Sequence, residues 1–175
     1  SIKIDDYLSD LNIKVKLHKN LDSTIQRISQ LTQKTNQFNF TTKRYSEEQI
    51  NEFIKDSFYN VYSLDVSDKF GNSGITALAI VYNENEKLWK IDTFLLSCRV
   101  MGRGIENALM FFIIEDAKKN HVEYLLGEYI STKKNIPAKD SLSVMGFSKI
   151  INKNNLYELN LSKDFLFPKY ITIDN

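Results

Sequence analysis

The stretch Trp89-Lys90-Ile91-Asp92-Thr93-Phe94-Leu95-Leu96-Ser97-Cys98-Arg99-Val100-Met101-Gly102-Arg103-Gly104-Ile105-Glu106-Asn107 decides how this chain is read. Its first half has strand character, carried by Ile91, Phe94, Leu95 and Leu96. Its two glycines permit a tight backbone turn, and from 105 to 119 apolar residues recur at helical spacing. A strand, a glycine turn and a helix together make an anion seat. The first N–H groups of a helix have no intrahelical partner and lie at the positive end of its dipole, so a phosphate or pyrophosphate fits there. The same pattern also describes a plain glycine turn with no ligand.

Working outward, 61–66, 75–82 and 88–96 read as three successive strands separated by Gly- and Asn-rich turns, most simply an antiparallel meander. Before them, 13–18 alternates like a strand. The segment 23–35 places Ile25, Ile28, Leu31 and Thr32 on one helical face, with Asp22 or Ser23 as its N-cap. Ser46-Glu47-Glu48-Gln49 is a capping box that opens a second helix over 47–55. After the long helix come a strand at 124–130, a helix at 137–145 closed by Gly146, and a terminal strand pair at 148–151 and 156–161. The domain is expected to span 1–162, with an apolar tail over 163–175 that packs either on it or on a neighbour. There is no internal repeat.

Composition narrows the function. Of 175 residues, 42% are hydrophobic and 12% aromatic, enough for one well-buried core. Lys and Arg number 23 against 22 Asp and Glu, so no global field draws nucleic acid or an anionic membrane, and binding has to be local. A single cysteine excludes an internal disulfide framework and suits a reducing compartment. No apolar run reaches the roughly 20 residues of a membrane span, and the first residues do not resemble a signal peptide. The expectation is a cytoplasmic protein without a membrane or nucleic-acid partner. His18 and His121 are the only histidines and nothing has metal-ligand spacing, so no metal site is expected.

Arg99-x-x-Gly102-x-Gly104 resembles the Arg/Gln-x-x-Gly-x-Gly/Ala segment with which the GNAT acyltransferase superfamily grips acyl-CoA. The element order is that of its α+β fold, a mainly antiparallel sheet flanked by helices and splayed between the strand ending near Ser97 and the strand starting near Tyr124. Three longer blocks narrow the resemblance. Arg27 to Tyr45 (RISQLTQKTNQFNFTTKRY), Ile91 to Gly104 (IDTFLLSCRVMGRG), and Gly127-Glu128-Tyr129-Ile130 with Lys133-Lys134-Asn135 look like the carboxy-terminal GNAT-like domain of FkbH-type proteins. That resemblance implies a two-part protein, in which a HAD-type phosphatase domain and this one convert a bisphosphoglycerate into a glyceryl thioester on an acyl carrier protein, for methoxymalonyl-type polyketide extender units. The HAD nucleophile motif Asp-x-Asp-x-Thr/Val is absent from the sequence. The chain, which does not begin with Met, is therefore expected to be a carboxy-terminal half.

The expected handle is acyl-CoA or the phosphopantetheine of acyl carrier protein, seated by Cys98, Arg99, Val100, Met101, Gly102, Arg103, Gly104, Ile105 and Asn135. Cys98, beside Arg99 and a helix start, has surroundings of the type that favour a thiolate and is the candidate acyl relay. A buried, inert thiol is the alternative. Glu128 and Tyr129 are candidates for general base and acid. Asn36, Gln37, Asn39, Arg44 and Tyr45 are candidates for the acceptor pocket, where amides can bond glyceryl hydroxyls; a helix cap and turn would use Asn36 and Asn39 equally well. One departure stands out: the resemblance expects a Tyr after the Lys-Asn segment, and Asp140-Ser141-Leu142-Ser143 has none. Two further readings therefore stay open, a non-catalytic carrier-binding module and a free-standing acetyl-CoA-dependent N-acetyltransferase.

Overall fold

A mixed sheet carries the fold in a computed structural model that describes residues 2–175. In chain order the elements are α1 (Ile2–Asp10), β1 (Ile13–Lys19), α2 (Ile25–Lys34), β2 (Phe38–Asn39), α3 (Glu47–Lys55), β3 (Tyr59–Asp68), β4 (Gly71–Asn85) and β5 (Leu88–Leu96). They continue with α4 (Ile105–Lys119), β6 (Tyr124–Glu128), α5 (Ser141–Val144), β7 (Ser148–Lys149), β8 (Leu156–Asn160) and β9 (Ile171–Ile173). The strands lie in the order β7-β8-β6-β5-β4-β3-β1-β9, with β2 added to β5. Neighbours run antiparallel except β5 with β6 and β1 with β9.

The expected meander is present as β3, β4 and β5. The capping box is closed at both ends, the Gln49 N–H donating to Ser46 Oγ at 3.2 Å and the Ser46 N–H to Gln49 Oε1 at 2.9 Å. Two expectations are corrected. Neither Asp22 nor Ser23 caps α2: both lie in a 3-10 turn, and the N-cap Thr24 turns its hydroxyl back to the Leu21 carbonyl. The helix expected over 137–145 is a 3-10 turn, Ile136–Ala138, followed by the single turn α5, because so short a segment adds too few backbone bonds to offset its nucleation. Of the two places expected for the tail it takes the first: Ile171 pairs with Ile13 and is buried.

Two layers flank the sheet. Ile28, Leu31 and Ile50 of α2 and α3 pack with Leu78, Ile80 and Leu95 on one face. On the other, α4 contributes Leu109, Met110 and Ile113 to a larger cluster with Leu64, Phe94 and Leu96. Tyr62, wholly buried, donates its OH to Asp116 of α4 at 2.5 Å, and Lys19 pairs with the same carboxylate at 2.7 Å. This clasp fixes α4 on the sheet by a directional bond as well as by packing.

The feature that positions the site is the divergence of β5 and β6. They pair only at Leu88 to Lys90 with Tyr124 to Leu126. Beyond Lys90 the gap is filled by the chain itself. Phe38 and Asn39 pair with Leu96 and Leu95, the Phe40 N–H donates to the Phe94 carbonyl at 3.0 Å, and the Ile130 N–H donates to the Phe40 carbonyl at 2.8 Å. The splay is therefore as expected, but an inserted strand closes it. Phe40 is 0% exposed and stacks on Phe94 with ring centroids 4.7 Å apart. Phe40→Ala should cost about 3 to 5 kcal/mol of stability in urea titrations, whereas Phe70→Ala, on an exposed turn, should stay within about 0.5 kcal/mol.

Candidate functional site

The turn before α4 is shaped by two left-handed glycines, Gly102 at φ +78 and Gly104 at φ +77, the second being the N-cap. Glycine adopts this left-handed region without the cost that a side chain adds. Among the described residues, the N–H groups of Gly102, Arg103, Gly104 and Ile105 donate to no protein acceptor. Four adjacent free donors thus stand at the start of a 15-residue helix, at the positive end of its dipole. The turn opens on a cavity of about 350 Å³, lined by Phe38, Met101, Gly102, Glu106, Pro137 and Ser141 among others.

The side chains of the turn do not act together. Arg103 reaches back to Asp68 of β3 in a short ion pair. Desolvation works against that carboxylate, but bonds from the Phe70 N–H and from Arg103 hold it below the usual range. Val100 and Ile105 are buried in the core. Cys98 and Arg99, in a 3-10 turn after β5, line a second cavity of about 360 Å³ with Arg27, Lys34, Asn36 and Gln37. That cavity adjoins α2, whereas the first adjoins α4 on the opposite face of the sheet. The paired β2 and β5 stand between them.

Two residues not anticipated from the sequence stand at the glycine turn, Glu106 in the lining of the first cavity and Tyr170 against Gly104. Tyr170, on the tail, lies against the glycine turn so closely that a Cβ on Gly104 would fall 2.1 Å from its OH. Glu106 sits in the first turn of α4 with a buried Oε2 that has no hydrogen-bond partner, and burial raises its pKa. The apolar tail was the only hint of Tyr170, and nothing in the sequence pattern singled out Glu106.

The remaining candidates are bound into the scaffold to different degrees. Arg44 donates to the Thr32 and Thr35 carbonyls and to Asn36 Oδ1, closing the end of α2. Asn39 is buried, donating to the Thr35 carbonyl and accepting from the Thr42 N–H. Gln37 is exposed at the rim of the second cavity. Tyr45 donates its OH to Asp92 at 2.7 Å, Lys43 pairs with the same carboxylate at 2.9 Å, and burial together with the Asp92 bond pushes the Tyr45 phenol up. Asp92 is re-aimed toward them by a bulge, since Ile80 faces Thr93 and Val81 faces Ile91.

Asn135 is 0% exposed and its amide is fully used. It donates to the Asn39 and Ile130 carbonyls at 2.9 Å, and its Oδ1 accepts from the Thr132 N–H and from the Tyr129 OH. Tyr129 is buried there, its phenol pushed up by burial. Glu128 lies 3.9 Å from Lys90. Neither lines one of the two cavities. Among the described residues no group of three His, Cys, Asp or Glu side chains is placed to hold a metal ion, and no helix is long and apolar enough to cross a membrane.

Glu106 gives a pH test. Its raised pKa means that the folded chain keeps this proton where the unfolded chain has already released it, so the group subtracts stability as pH rises out of the usual glutamate range. Glu106→Gln removes that loss. Between about pH 4 and pH 7 the variant should gain in urea stability relative to the parent. An equal difference at both pH values would count against a buried, protonated Glu106.

No known family model and no curated protein matches the chain. Its fold does match solved structures. It is similar to an acetyltransferase of the GNAT family from Staphylococcus aureus Mu50, with a TM-score of 0.64 and 13% identity over 84% of this chain and 99% of that one. It is similar to the ribosomal-protein-S18-alanine N-acetyltransferase of Escherichia coli, with a TM-score of 0.61 and 14% identity over 86% of this chain and 96% of that one. It is also similar to Rv2747 of Mycobacterium tuberculosis in complex with CoA and NLQ, with a TM-score of 0.58 and 13% identity over 77% of this chain and 72% of that one. The chain has the GNAT, or acyl-CoA N-acyltransferase, fold.

Proposed function

We propose that this chain is an acyltransferase-type domain that seats a phosphopantetheine arm, of coenzyme A or of an acyl carrier protein, against the turn before α4. The observation that carries the reading is the run of free N–H groups from Gly102 to Ile105 beside a cavity of about 350 Å³. The residues present fit such a group. The backbone donors would take a phosphate, with the Tyr170 OH beside them. Glu106, whose neutral form burial favours, would then not repel the anion. When bound, the arm supplies the terminal thiol on which acyl groups are carried. The likeness to proteins described as acetyltransferases, one of them in complex with CoA, supports the same class.

Charge favours the carrier protein over free coenzyme A. The cavity opens beside exposed Ile136 and Val144, the latter 81% exposed. Its rim belongs to residues 131–154, which hold five lysines, Lys133, Lys134, Lys139, Lys149 and Lys153, against one acid, Asp140. All five are exposed and join no ion pair among the described residues. An acidic protein surface complements that rim. The resemblance to FkbH-type domains supports a glyceryl or related acyl group as cargo. It also supports a HAD-type domain of the same protein as the source of phosphatase chemistry, a place in methoxymalonyl-type polyketide extender biosynthesis, and a cytoplasmic setting. In this reading Cys98 is the nucleophile. A new C–S bond forms at the acyl carbon as the bond to a leaving phosphate oxygen breaks.

A second reading, a binding module without chemistry of its own, has one observation in its favour. The Cys98 cavity and the arm cavity lie on opposite sides of the β2–β5 pair, and residues 140–143 offer no tyrosine. Calorimetry decides the common premise. Coenzyme A and an acidic, phosphopantetheinylated carrier protein should both bind, the carrier more tightly. Gly102→Ala, whose Cβ meets nothing within 4 Å in the folded chain, should weaken both by about tenfold, roughly 1.4 kcal/mol. Unchanged affinity in the folded variant would overturn the seat. Loading of carrier by a full-length protein bearing Cys98→Ala then separates the two readings, because only the acyl-relay reading loses it.

A further inference from the structure

We propose that Glu106 is the specificity residue of the cavity beside α4, where its carboxyl group donates a hydrogen bond to an acceptor oxygen of the bound arm. This rests on the arm reading above and names the side chain that recognises the arm. Glu106 holds an oxygen without a partner. Among the described residues, its Oε2 is the one buried side-chain nitrogen or oxygen that makes no hydrogen bond. A buried polar atom left unpaired costs stability and folded chains keep few of them, so one in the lining of a cavity points to a partner from outside the chain. Glu106 shares that lining with Phe38, Met101, Pro137 and Met145, none of which has a hydrogen bond to offer from its side chain.

The edge of β5 is not open to the arm. Leu96 and Leu95 are paired with Phe38 and Asn39, and the Phe94 carbonyl accepts from the Phe40 N–H, so the inserted segment has used the bonds that an arm between β5 and β6 would need. The arm carries amide and hydroxyl groups that have to be bonded when they leave water, and side chains then have to bond them. Asp140 is exposed and Asn107 and Ser141 are half-buried, whereas Glu106 holds a polar atom out of reach of water. Burial keeps its proton on above the usual glutamate range, against the smaller pull of its own N–H. No surrounding charge reverses this. Asp140, in the same lining, is an acid, and no cation lines the cavity. The Tyr170 phenol is pushed up by burial, then by Glu106 and by Asp5 of α1, so it stays neutral, and Arg103 of the turn is paired with Asp68 of β3. An anionic phosphate at the turn adds a like charge and favours the neutral carboxyl further. A neutral carboxyl facing a ligand is a donor, and the phosphate and amide oxygens of the arm are acceptors.

Calorimetry with dephospho-coenzyme A tests the assignment, because the pyrophosphate of this probe keeps its charge across the range used. In the parent chain affinity should fall by about tenfold or more as pH rises from about 5 to about 8, since the donor is lost when Glu106 ionises. Glu106→Gln keeps a neutral donor of the same shape. It should bind within about twofold of the parent at the acid end and show no such fall. Glu106→Leu, neutral and without a donor, should bind about tenfold more weakly than Glu106→Gln at every pH. Equal affinity of these two variants would mean that Glu106 acts only by repelling anions when charged, and would overturn the donor role. If Glu106→Leu does not fold, the pH profiles decide: a parent without the fall, or Glu106→Gln with the same fall, overturns it as well. Gly102→Ala should weaken binding at every pH and keep the parent's profile, so damage to the turn and loss of the donor read differently. A parent chain that binds the probe at no pH would overturn the arm reading and this assignment with it.

Discussion

The insertion of residues 38–41 between the diverging β5 and β6 is the constraint on which the rest of the structure depends. Two strands that part after three residue pairs leave a row of N–H and C=O groups facing each other across a gap too wide to bond. Unpaired, each buried group costs about 1 to 3 kcal/mol. The inserted segment takes the β5 groups on one side and bonds the Ile130 N–H on the other, so the gap becomes a continuous sheet. Asn135 holds this segment from behind. Its amide joins the Asn39 carbonyl to the Ile130 carbonyl and to the Tyr129 phenol, so residues from three distant parts of the chain share one fully satisfied group. Phe40 adds the apolar part by stacking on Phe94.

That wall gives the site its division. The free amides before α4, Tyr170 and Glu106 belong to one side. The thiol of Cys98 and the unpaired cations belong to the other. Each side has an electrostatic character of its own, backbone dipoles in the first and full charges in the second. On the first side Arg103 is already paired with Asp68. Phe38 of this pair lines the first cavity and Leu96, its partner, lines the second.

What was legible in the sequence was local. The bounds of α4 and β5 and the capping box of α3 follow from spacings within a single turn or strand, where the deciding partners are three or four residues apart. The glycine turn was legible for the same reason, as glycines beside a periodic helix. The partners that could not be read are distant. A two-residue strand such as β2 has no periodicity, and its reason for existing lies at Leu95, Ile130 and Asn135. Arg103 looked like a phosphate ligand because it lies within the glycine turn; its partner Asp68, on β3, is 35 residues away in sequence. Asn135 and Asn39 carried the right residue types for ligand recognition and use them on each other instead. The strand β9 was hidden because three residues in an apolar tail give no register.

Gly102 and Gly104, alike in φ and two residues apart, illustrate why a motif has to be read against its packing. At Gly104 a side chain would strike Tyr170, so the residue is fixed by the tail as much as by any ligand. At Gly102 a side chain would meet open space, so packing gives no reason for glycine there and only backbone conformation and the approach of something outside the chain remain. Conformation alone is a weak requirement, since Asn occupies the same left-handed region at four other positions in this chain, Asn12, Asn20, Asn152 and Asn155. An Asn side chain at 102 would stand in the cavity mouth. The absence of any side chain there leaves the cavity mouth open at Gly102, the one residue of the free N–H run that lines it.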